Sequence, residues 1–442
     1  MLKYRMKSLV ALSMAVVLLM GCAGVSDTNT TETSLATEAL RGTESAEVIL
    51  PTEVIPTKEL QTCIVIPFPK EEALWYFSHN LMLQNIKEKN PVLSPVSAYL
   101  ALGMAGMGAK QNTLFEMKTA MGNEMQEIAE EIMEEVTQIT EPNPGVGYDL
   151  WVSNSAWIRE GLELNKTWID NIERFYRAEH FERDLTTIKT MKEINEWIEV
   201  RTEGLIKDFL SEPLGGDTAL ALFNTIYFYG KWRNPFEKEA TRKESFILED
   251  GKTETVEMMN QAHERHLYFR GKDYDGVVLP YRGEDMAFVA IKPTEGQTVR
   301  ELFESLTDRD VENILDVEEY TTINLKMPKF DITFDKVLNE SLQNMGIRDA
   351  FTPGVADFSG MSKNGTKDLF ISLVRQKAVI KVDEEGTEAA AVTEVVMKEM
   401  AAFETPLTPV EVYFDEPFVY MLMNTDEEIP LFMGILDNPN AE

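Results

Sequence analysis

The sequence KAVIKVDEEGTEAAAVTEVVMKEM, residues 377–400, decides the fold because it joins a β-strand to a long run of small residues without proline. In its first six residues Ala378, Ile380 and Val382 alternate with more polar neighbours, which is the period of a strand with one buried face. Residues 383–386 interrupt this alternation with three acidic side chains and a glycine. The pattern therefore predicts a buried strand that leads into a loop.

A second alternation begins at Thr387, where small uncharged residues occupy one face and a mixed set, Glu388, Ala390, Val392 and Glu394, the other. The small face contains Thr387, Ala389, Ala391 and Thr393. A strand of this kind fits into a sheet above a packed core, because small inward side chains avoid overpacking. A competing interpretation remains open, since residues 384–404 also have high helix propensity and favour a surface helix.

The run EEGTEAAAVT resembles the hinge of an inhibitory serpin, a strand-inserting protease inhibitor, and the resemblance covers residues 63–442. Four further motifs resemble serpin segments in the expected order: NPVLSPVSAYLALGMAGMGAKQNT (90–113), LFNTIYFYGKWRNPF (222–236), VYFDEPFVYML (412–422) and PLFMGILDNP (430–439). The resemblance implies an α+β serpin fold with three β-sheets, eight to nine helices and an exposed reactive-centre loop at about residues 386–409. It also implies a monomer without a cofactor.

In serpins a target protease cleaves the loop, and the freed hinge then inserts as a new strand of the main sheet. The hinge positions implied here are Glu384, Gly386, Thr387, Glu388, Ala389, Ala390 and Ala391. Insertion requires small inward side chains and free backbone donors, and residues 386–405 contain no proline. The sequence therefore predicts an inhibitor of serine proteases, or of cysteine proteases, and not an enzyme.

The family's spacing from the hinge glycine puts the reactive bond at Met400–Ala401, with Met397, Lys398 and Phe403 as alternatives because the loop is longer than usual. A methionine suits elastase-like or chymotrypsin-like proteases, whereas Lys398 would suit trypsin-like ones. Subtilisin-like and papain-like proteases tolerate either residue. The class of target protease stays open.

Five polar or aromatic positions match the serpin shutter and breach, the regions beneath the main sheet and at its top. The shutter positions are Ser94, Ser97, Asn224 and Gln376, and the breach position is Trp232. Serpins usually carry a histidine where this chain has Gln376, so an amide pair between Gln376 and Asn224 is the expectation. On residue type alone, all five are equally compatible with ordinary core positions.

The N-terminal sequence predicts that the protein is exported from the cytoplasm. Residues 1–22 combine three basic residues with a short apolar run that ends at Cys22, which resembles a bacterial lipobox with Cys22 as the lipidated residue. Cleavage of the signal elsewhere, and hence release, is the alternative. Residues 23–62 are rich in Thr and Glu and predict a disordered tether. We therefore expect residues 63–442 to be a serpin domain anchored through lipid at the cell surface or membrane.

The net charge of −33 argues against nucleic acid and heparin as partners, because both are polyanions. Residues 124–140 predict an acidic helix with a solvated face. Enzyme motifs such as GxSxG, a Walker loop, HExxH and CxxC are absent from the sequence, and His263 and His266 lack a third placed ligand for a metal. Two other classes remain: a non-inhibitory serpin-fold binding module or plain protease substrate, and a solute-binding lipoprotein on a tether.

Overall fold

Helices and strands follow one another in an α+β arrangement in the computed structural model of the chain, which describes residues 70–122, 125–140, 147–283, 285–294, 296–387 and 408–441. The helices within these ranges are α1 (Lys70–Leu83), α2 (Pro95–Gly106), α3 (Gln111–Met121), α4 (Met125–Thr140), α5 (Lys166–Tyr176), α6 (Ile188–Arg201), α7 (Val299–Ser305), α8 (Asp308–Leu315) and α9 (Asn339–Asn344). The predicted fold class is confirmed.

Fifteen strands lie in the described ranges. They are β1 (Val92–Leu93), β2 (Tyr148–Arg159), β3 (Glu179–Arg183), β4 (Leu220–Lys231), β5 (Arg242–Ile247), β6 (Thr253–Arg270), β7 (Tyr274–Pro280), β8 (Met286–Pro293), β9 (Tyr320–Pro328), β10 (Phe330–Val337), β11 (Arg375–Val382), β12 (Gly386–Thr387), β13 (Val410–Tyr413), β14 (Phe418–Asn424) and β15 (Ile429–Leu436). The described residues all belong to one compact unit, Ile64–Glu442.

A six-stranded sheet in the order β10-β11-β12-β4-β2-β3 carries the segment that decides the fold. On β11 every second residue, from Gln376 to Val382, is buried, and the residues between them are half-exposed. The alternation read from the sequence is therefore the alternation of the strand. On the other side of the sheet, β4 and β2 pair antiparallel from Tyr148↔Gly230 to Ile158↔Leu220.

A nine-stranded system holds the remaining strands, in the order β1-β15-β14-β8-β7-β6-β9-β13 with β5 paired to β6. The resemblance implies three β-sheets, and two of them are continuous here through β6, which is 18 residues long. Its first part, Thr253–Met258, pairs with β5, and its last part, Leu267–Arg270, pairs with β7. Strand β9 pairs with the residues between, Met258–Leu267, across a bulge after Gln261. His263 occupies this bulge with φ of 58°.

Helix α2 lies in the interior, where it contacts both β4 and β15. Almost all of its residues are buried, which explains its nearly uninterrupted apolar and small composition. Ser94 caps its first turn, since the hydroxyl oxygen accepts a hydrogen bond from the Ser97 amide at 3.4 Å. This helix forms a floor beneath the six-stranded sheet.

Helix α4 is the predicted acidic helix. Ile128, Ala129 and Ile132 face the core, whereas Glu127, Glu131 and Glu134 are exposed. The solvated acidic face expected from the sequence is confirmed. Within the described ranges, no helix combines the length and apolar character needed to cross a bilayer.

Candidate functional site

The first two residues of the predicted loop form a short strand inside the six-stranded sheet. Strand β12 lies between β11 and β4, with Thr387 opposite both Val382 and Gly230. A tight reversal at residues 383–385 connects β11 to β12. Asp383 stabilises this reversal, because its carboxylate accepts hydrogen bonds from the main-chain amides of Glu385 (2.8 Å) and Gly386 (3.2 Å). The sequence analysis did not single out Asp383, although aspartate before a turn is a recognisable signal.

Gly386 is required by a close approach of two main chains. A Cβ at this position would lie 1.9 Å from the carbonyl oxygen of Gly230, which is a backbone atom that cannot move aside. Only glycine therefore lets β12 enter the sheet at this height. This gives a steric reason for a hinge position that the sequence identified only by resemblance.

Thr387 points into an aromatic cluster at the top of the sheet. Its hydroxyl is hydrogen-bonded to the hydroxyl of Tyr281, and Thr387 is only 3% exposed. Tyr281 stacks on Trp232 with ring centroids 4.7 Å apart and contacts Phe228 edge-on at 4.8 Å. Sequence reasoning identified Trp232 but missed Tyr281, which carries no motif of its own.

Trp232 also holds the reversal between the two strands. Its indole Nε1 donates to the carbonyl oxygen of Asp383 at 2.8 Å, and its main-chain amide donates to that of Glu385 at 2.9 Å. The breach position predicted from the sequence is thus in direct contact with the hinge. Because both bonds are to main-chain atoms, they fix the path of the chain.

Glu384 is a buried carboxylate with two side-chain partners. Its Oε1 accepts a hydrogen bond from the Thr241 hydroxyl at 2.7 Å, and its Oε2 lies 2.9 Å from Lys329 Nζ. Burial alone would raise the pKa of Glu384, but the hydrogen bonds from Thr241 and Lys329 outweigh burial and hold the pKa below its usual value of 4.5. The neighbouring Glu385 pairs with Lys238, which is largely exposed.

Below the level of Thr387 an apolar cleft separates β4 from β11; "the cleft" denotes this space throughout. Its walls include residues 220–226 of β4 and residues 375–379 of β11, and α2 contributes Ser94, Ser97, Ala98, Ala101 and Ala105. It encloses about 1440 Å³, including space that opens to solvent. In the described part of the chain, only the two residues of β12 fill the gap between these strands.

The shutter residues all line the cleft, but they do not form the expected amide pair. Gln376 donates from Nε2 to the carbonyl oxygen of Ser94 at 2.7 Å and accepts from the Ser94 amide at 2.9 Å. Asn224 instead donates to Asn154 Oδ1 at 2.8 Å. The expectation of a pair was wrong because Ser94 supplies both a donor and an acceptor, which match the two ends of one amide.

Asn154 is the second residue that the sequence analysis did not identify. Its Nδ2 donates to the carbonyl oxygen of Tyr176 at the end of α5 at 2.8 Å. The Oδ1 atom of Asn224 is buried and has no hydrogen-bond partner among the described residues. The Ser97 hydroxyl donates to the main-chain oxygen of Asn224 at 3.5 Å, at the limit of hydrogen-bond length.

The remaining predicted positions lie outside the described residues. They are the hinge residues Glu388, Ala389, Ala390 and Ala391, the reactive-bond candidates Met397, Lys398, Met400, Ala401 and Phe403, and the lipidation site Cys22. The competing helix over residues 384–404 falls largely in the same part of the chain, although its described residues Gly386–Thr387 form strand β12. These predictions stand as they were made.

The histidine pair of β6 does not suggest a site of its own. His266 is buried, and burial lowers its pKa to about 4, whereas His263 is exposed at the bulge. In the described ranges, no group of three or more His, Cys, Asp or Glu side chains is placed to hold a metal ion.

Comparison with known proteins gives one consistent result. Residues 75–439 match the family model described as serpin (serine protease inhibitor). Iripin-8 of Ixodes ricinus is 33% identical over 81% of this chain and 91% of its own, and Serpin B6 of Pongo abelii is 31% identical over 83% and 99%. The native-state crystal structure of tengpin, a thermophilic serpin, superposes with a TM-score of 0.74 at 28% identity, covering 88% of this chain and 96% of tengpin.

Proposed function

The chain belongs to the serpin family, whose members are generally protease inhibitors, and from this premise we propose that it is an inhibitory serpin acting by loop cleavage and strand insertion. The observation that carries the proposal is the position of β12. Thr387 is already paired on both sides and buried, and the cleft continues directly below it between β4 and β11. The hinge and the space for its insertion are therefore aligned.

The chemical step takes place in the target protease. The nucleophilic serine of the protease attacks the carbonyl carbon of the reactive bond, proposed as Met400–Ala401. The C–N bond breaks, the proton of the serine passes through the protease's base to the amine of Ala401, and an ester to Met400 remains. The inhibitor supplies no catalytic group, so its contribution is to move the ester before water reaches it.

Insertion supplies the driving force, because each added residue completes a backbone ladder on both sides. Continuing the register of Thr387 down the cleft by six residues brings Thr393 level with Asn224 and Gln376. Thr393 lies an even number of residues after Thr387, so its side chain would be on the same face of the strand and point inward. The side chains of Glu388 and Glu394 would be on the opposite face, towards solvent. The small inward face read from the sequence suits a floor made largely of serine and alanine.

We propose an elastase-like, chymotrypsin-like or subtilisin-like protease as the target, because Met400 fits an apolar specificity pocket. Met397, Lys398 and Phe403 are the alternative reactive residues, and Lys398 would direct the chain to trypsin-like proteases. Oxidation of Met400 to the sulfoxide would make that residue polar and weaken such binding.

We further propose that the protein is a bacterial lipoprotein. Cys22 would carry the lipid, and residues 23–62 would hold the domain away from the membrane. Such an arrangement would guard the cell surface against foreign proteases. Replacement of Cys22 by serine should move the protein from the detergent phase to the aqueous phase in phase-separation assays of cells that make it. Aqueous partition of the unaltered protein would contradict the anchor.

The inhibitory mechanism is tested by mixing the purified full-length protein separately with neutrophil elastase, chymotrypsin, trypsin, subtilisin and papain. A protease–inhibitor band that survives boiling in detergent would support inhibition, and mass spectrometry of the released C-terminal peptide would identify the reactive bond. Cleavage of the loop by every protease with continued turnover would exclude inhibition by these proteases. It would favour the alternative, a non-inhibitory binding module or plain substrate.

A further inference from the structure

Asn364 lies in an exposed turn and is the only asparagine of the chain that is followed by glycine. Residues 363–368 are all exposed and lie outside the helices and strands. Gly365 has φ of 66°, and a Cβ built on it would meet no other atom within 4 Å. The side-chain amide of Asn364 and the next main-chain nitrogen are therefore neighbours in water, with no side chain on Gly365 to keep them apart.

The turn is held by long hydrogen bonds. The Gly365 amide donates to the carbonyl oxygen of Ser362 at 3.3 Å, beyond the usual length of about 2.9–3.0 Å. The Ser362 hydroxyl oxygen accepts from the amides of Asn364 (3.3 Å) and Thr366 (3.2 Å). All three bonds are made within residues 362–366, so the Gly365 nitrogen can leave its acceptor without breaking a helix or a strand ladder.

One side of the turn is attached to the connection between β2 and α5. The Lys363 amide donates to the carbonyl oxygen of Glu163 at 3.1 Å, and Lys363 Nζ lies 2.8 Å from Glu163 Oε1. The hydrogen bond from Lys363, together with a further one from the Asn364 side chain, lowers the pKa of Glu163. The neutral amide of Asn364 is thus a donor to a carboxylate, and a negative group in its place would repel that carboxylate.

Other asparagines lack one of these features. Asn154 precedes serine, which also has a small side chain, but Asn154 is 1% exposed and its amide is hydrogen-bonded. Asn440 is exposed, but the following residue, Ala441, carries a Cβ. The combination of water access, a following glycine and open space therefore distinguishes Asn364.

We propose that Asn364 is a site of spontaneous covalent modification, where attack by the Gly365 nitrogen converts the asparagine to aspartate or isoaspartate without an enzyme. The nitrogen forms a bond to Cγ of Asn364 and the Cγ–Nδ2 bond breaks. Nδ2 leaves as ammonia with the proton of the Gly365 amide, and a five-membered succinimide remains. Water opens this ring at either carbonyl, so one water is consumed and one ammonia is released.

The product changes the attachment of the turn. Both products place a carboxylate beside Glu163, and isoaspartate also adds a methylene group to the main chain after Lys363. The same segment contributes Phe358, Met361 and Leu369 to the walls of the cleft. Conversion therefore loosens an outer contact of a segment whose other residues line the cleft.

Incubation of the purified full-length protein at mildly alkaline pH tests the reaction. Mass spectrometry of chymotryptic peptides follows the replacement of NH2 by OH, and an isoaspartyl methyltransferase labels the isoaspartate. Conversion at Asn364 should be at least tenfold faster than at Asn440 and at Asn154 in the same sample. A rate at Asn364 no greater than that at Asn440 would overturn the proposal.

Comparison with unfolded protein asks whether the fold permits the reaction. The rate at Asn364 in the folded protein should lie within about tenfold of the rate in urea, and stronger protection by the fold would overturn the proposal. Asn364→Gln is the matched variant, since its longer side chain would have to close a six-membered ring. It should release no ammonia from this position over the same period.

Hydrogen exchange tests the effect of the product. Asn364→Asp should increase exchange of the Lys363 amide about threefold, and less at high salt, whereas Asn364→Gln should leave it unchanged. In a Glu163→Gln background the added charge has no carboxylate to repel, so Asn364→Asp should have no further effect. Equal acceleration in both backgrounds would overturn the assignment of Glu163 as the group that the product repels.

This inference does not depend on the proposed function. Conversion at Asn364 and covalent complex formation with a protease are measured separately, so either result can fail while the other stands.

Discussion

The top and the middle of the cleft differ in how the two walls are connected. At the top, β12 bridges β11 and β4, and the hinge is fixed by Trp232, Tyr281 and Lys329. In the middle, Gln376 bonds to Ser94 before the first residue of α2, and Asn224 bonds to Asn154 on β2. The same two strands are thus bridged by β12 at one height, whereas six residues further down Gln376 and Asn224 share no side-chain hydrogen bond.

This difference shows what a strand-accepting sheet requires. The first residues of the new strand must be held in register, or the small face would slip by one residue and turn outward. Further down, any bond across the gap would have to be broken before insertion and would slow it. Four substitution experiments test this difference between the top and the middle of the cleft.

The largest effect is expected from Thr387→Arg at the top of the cleft. A guanidinium in the pocket lined by Tyr281 and Trp232 would be buried without a partner, so β12 would leave the sheet. The yield of covalent complex with the target protease should fall at least a hundredfold. The protease should still cleave the loop and then release the protein, as it does with an ordinary substrate. Quantitative denaturing gels measure both products.

Glu388→Arg is the matched control for that substitution, because the next residue of the strand would face solvent. It should retain most of the complex formed by the unaltered protein. Equal losses of covalent complex in Thr387→Arg and Glu388→Arg would contradict the assignment of Thr387 to the buried face and Glu388 to the solvent face of the strand.

Trp232→Ala should have the next largest effect, on stability. The side chain is 2% exposed, stacks on Tyr281 and donates to Asp383, and removal of a buried aromatic side chain costs about 3–5 kcal/mol. Trp151→Ala is the control, since Trp151 on β2 is 45% exposed and should change stability by no more than about 0.5 kcal/mol. Urea denaturation compares the two, and similar losses would contradict a special role for the top of the cleft.

Two lysines that bind adjacent hinge glutamates provide a finer comparison. Lys329→Ala leaves the buried carboxylate of Glu384 without its ion-pair partner and should cost about 1–3 kcal/mol. Lys238→Ala removes the exposed partner of Glu385, so the midpoint of urea unfolding should remain within error of that of the unaltered protein. A larger loss of stability in Lys238→Ala than in Lys329→Ala would contradict the conclusion that the buried Glu384–Lys329 pair holds the hinge more strongly.

The smallest expected effect is a pH dependence at Glu384. Because its pKa is lowered on folding from about 4.5, its carboxylate contributes stability above that pH, and the contribution is lost as the pH falls through the folded-state value. Glu384→Gln should therefore be less stable than the unaltered protein at pH 6–7, with the difference shrinking below about pH 4.5. Urea unfolding from pH 7 to 3.5 measures this, and a difference that is constant with pH would contradict it.

Regular alternation made much of this fold predictable from sequence. In strand β11 the residues that alternate in the sequence are buried and half-exposed in alternation. The long apolar runs of β14 and β15 are buried along their whole length. The acidic helix α4 was predictable for the same reason, since its apolar residues recur on one side. Local patterns of this kind depend only on the period of each element.

Contacts between distant segments were less predictable. Tyr281, just after β7, and Thr241, just before β5, reach the hinge from distant segments and carry no motif, and Asn154 is one asparagine among many. The pairing of Gln376 with Asn224 was wrong although both lie on the cleft, because side-chain type does not decide which of several neighbours an amide meets.

The strand at residues 377–382 and its interruption at residues 383–386 follow from the sequence alone, because period-two alternation and a cluster of acidic residues with a glycine suffice for that. The tertiary structure alone decided that Gly386 must lack a side chain, since the carbonyl oxygen that excludes it belongs to Gly230 on another strand. It also decided that Gln376 bonds to Ser94 and Asn224 to Asn154, and not to each other, since hydrogen bonds depend on distances that arise only when segments far apart in sequence are packed together.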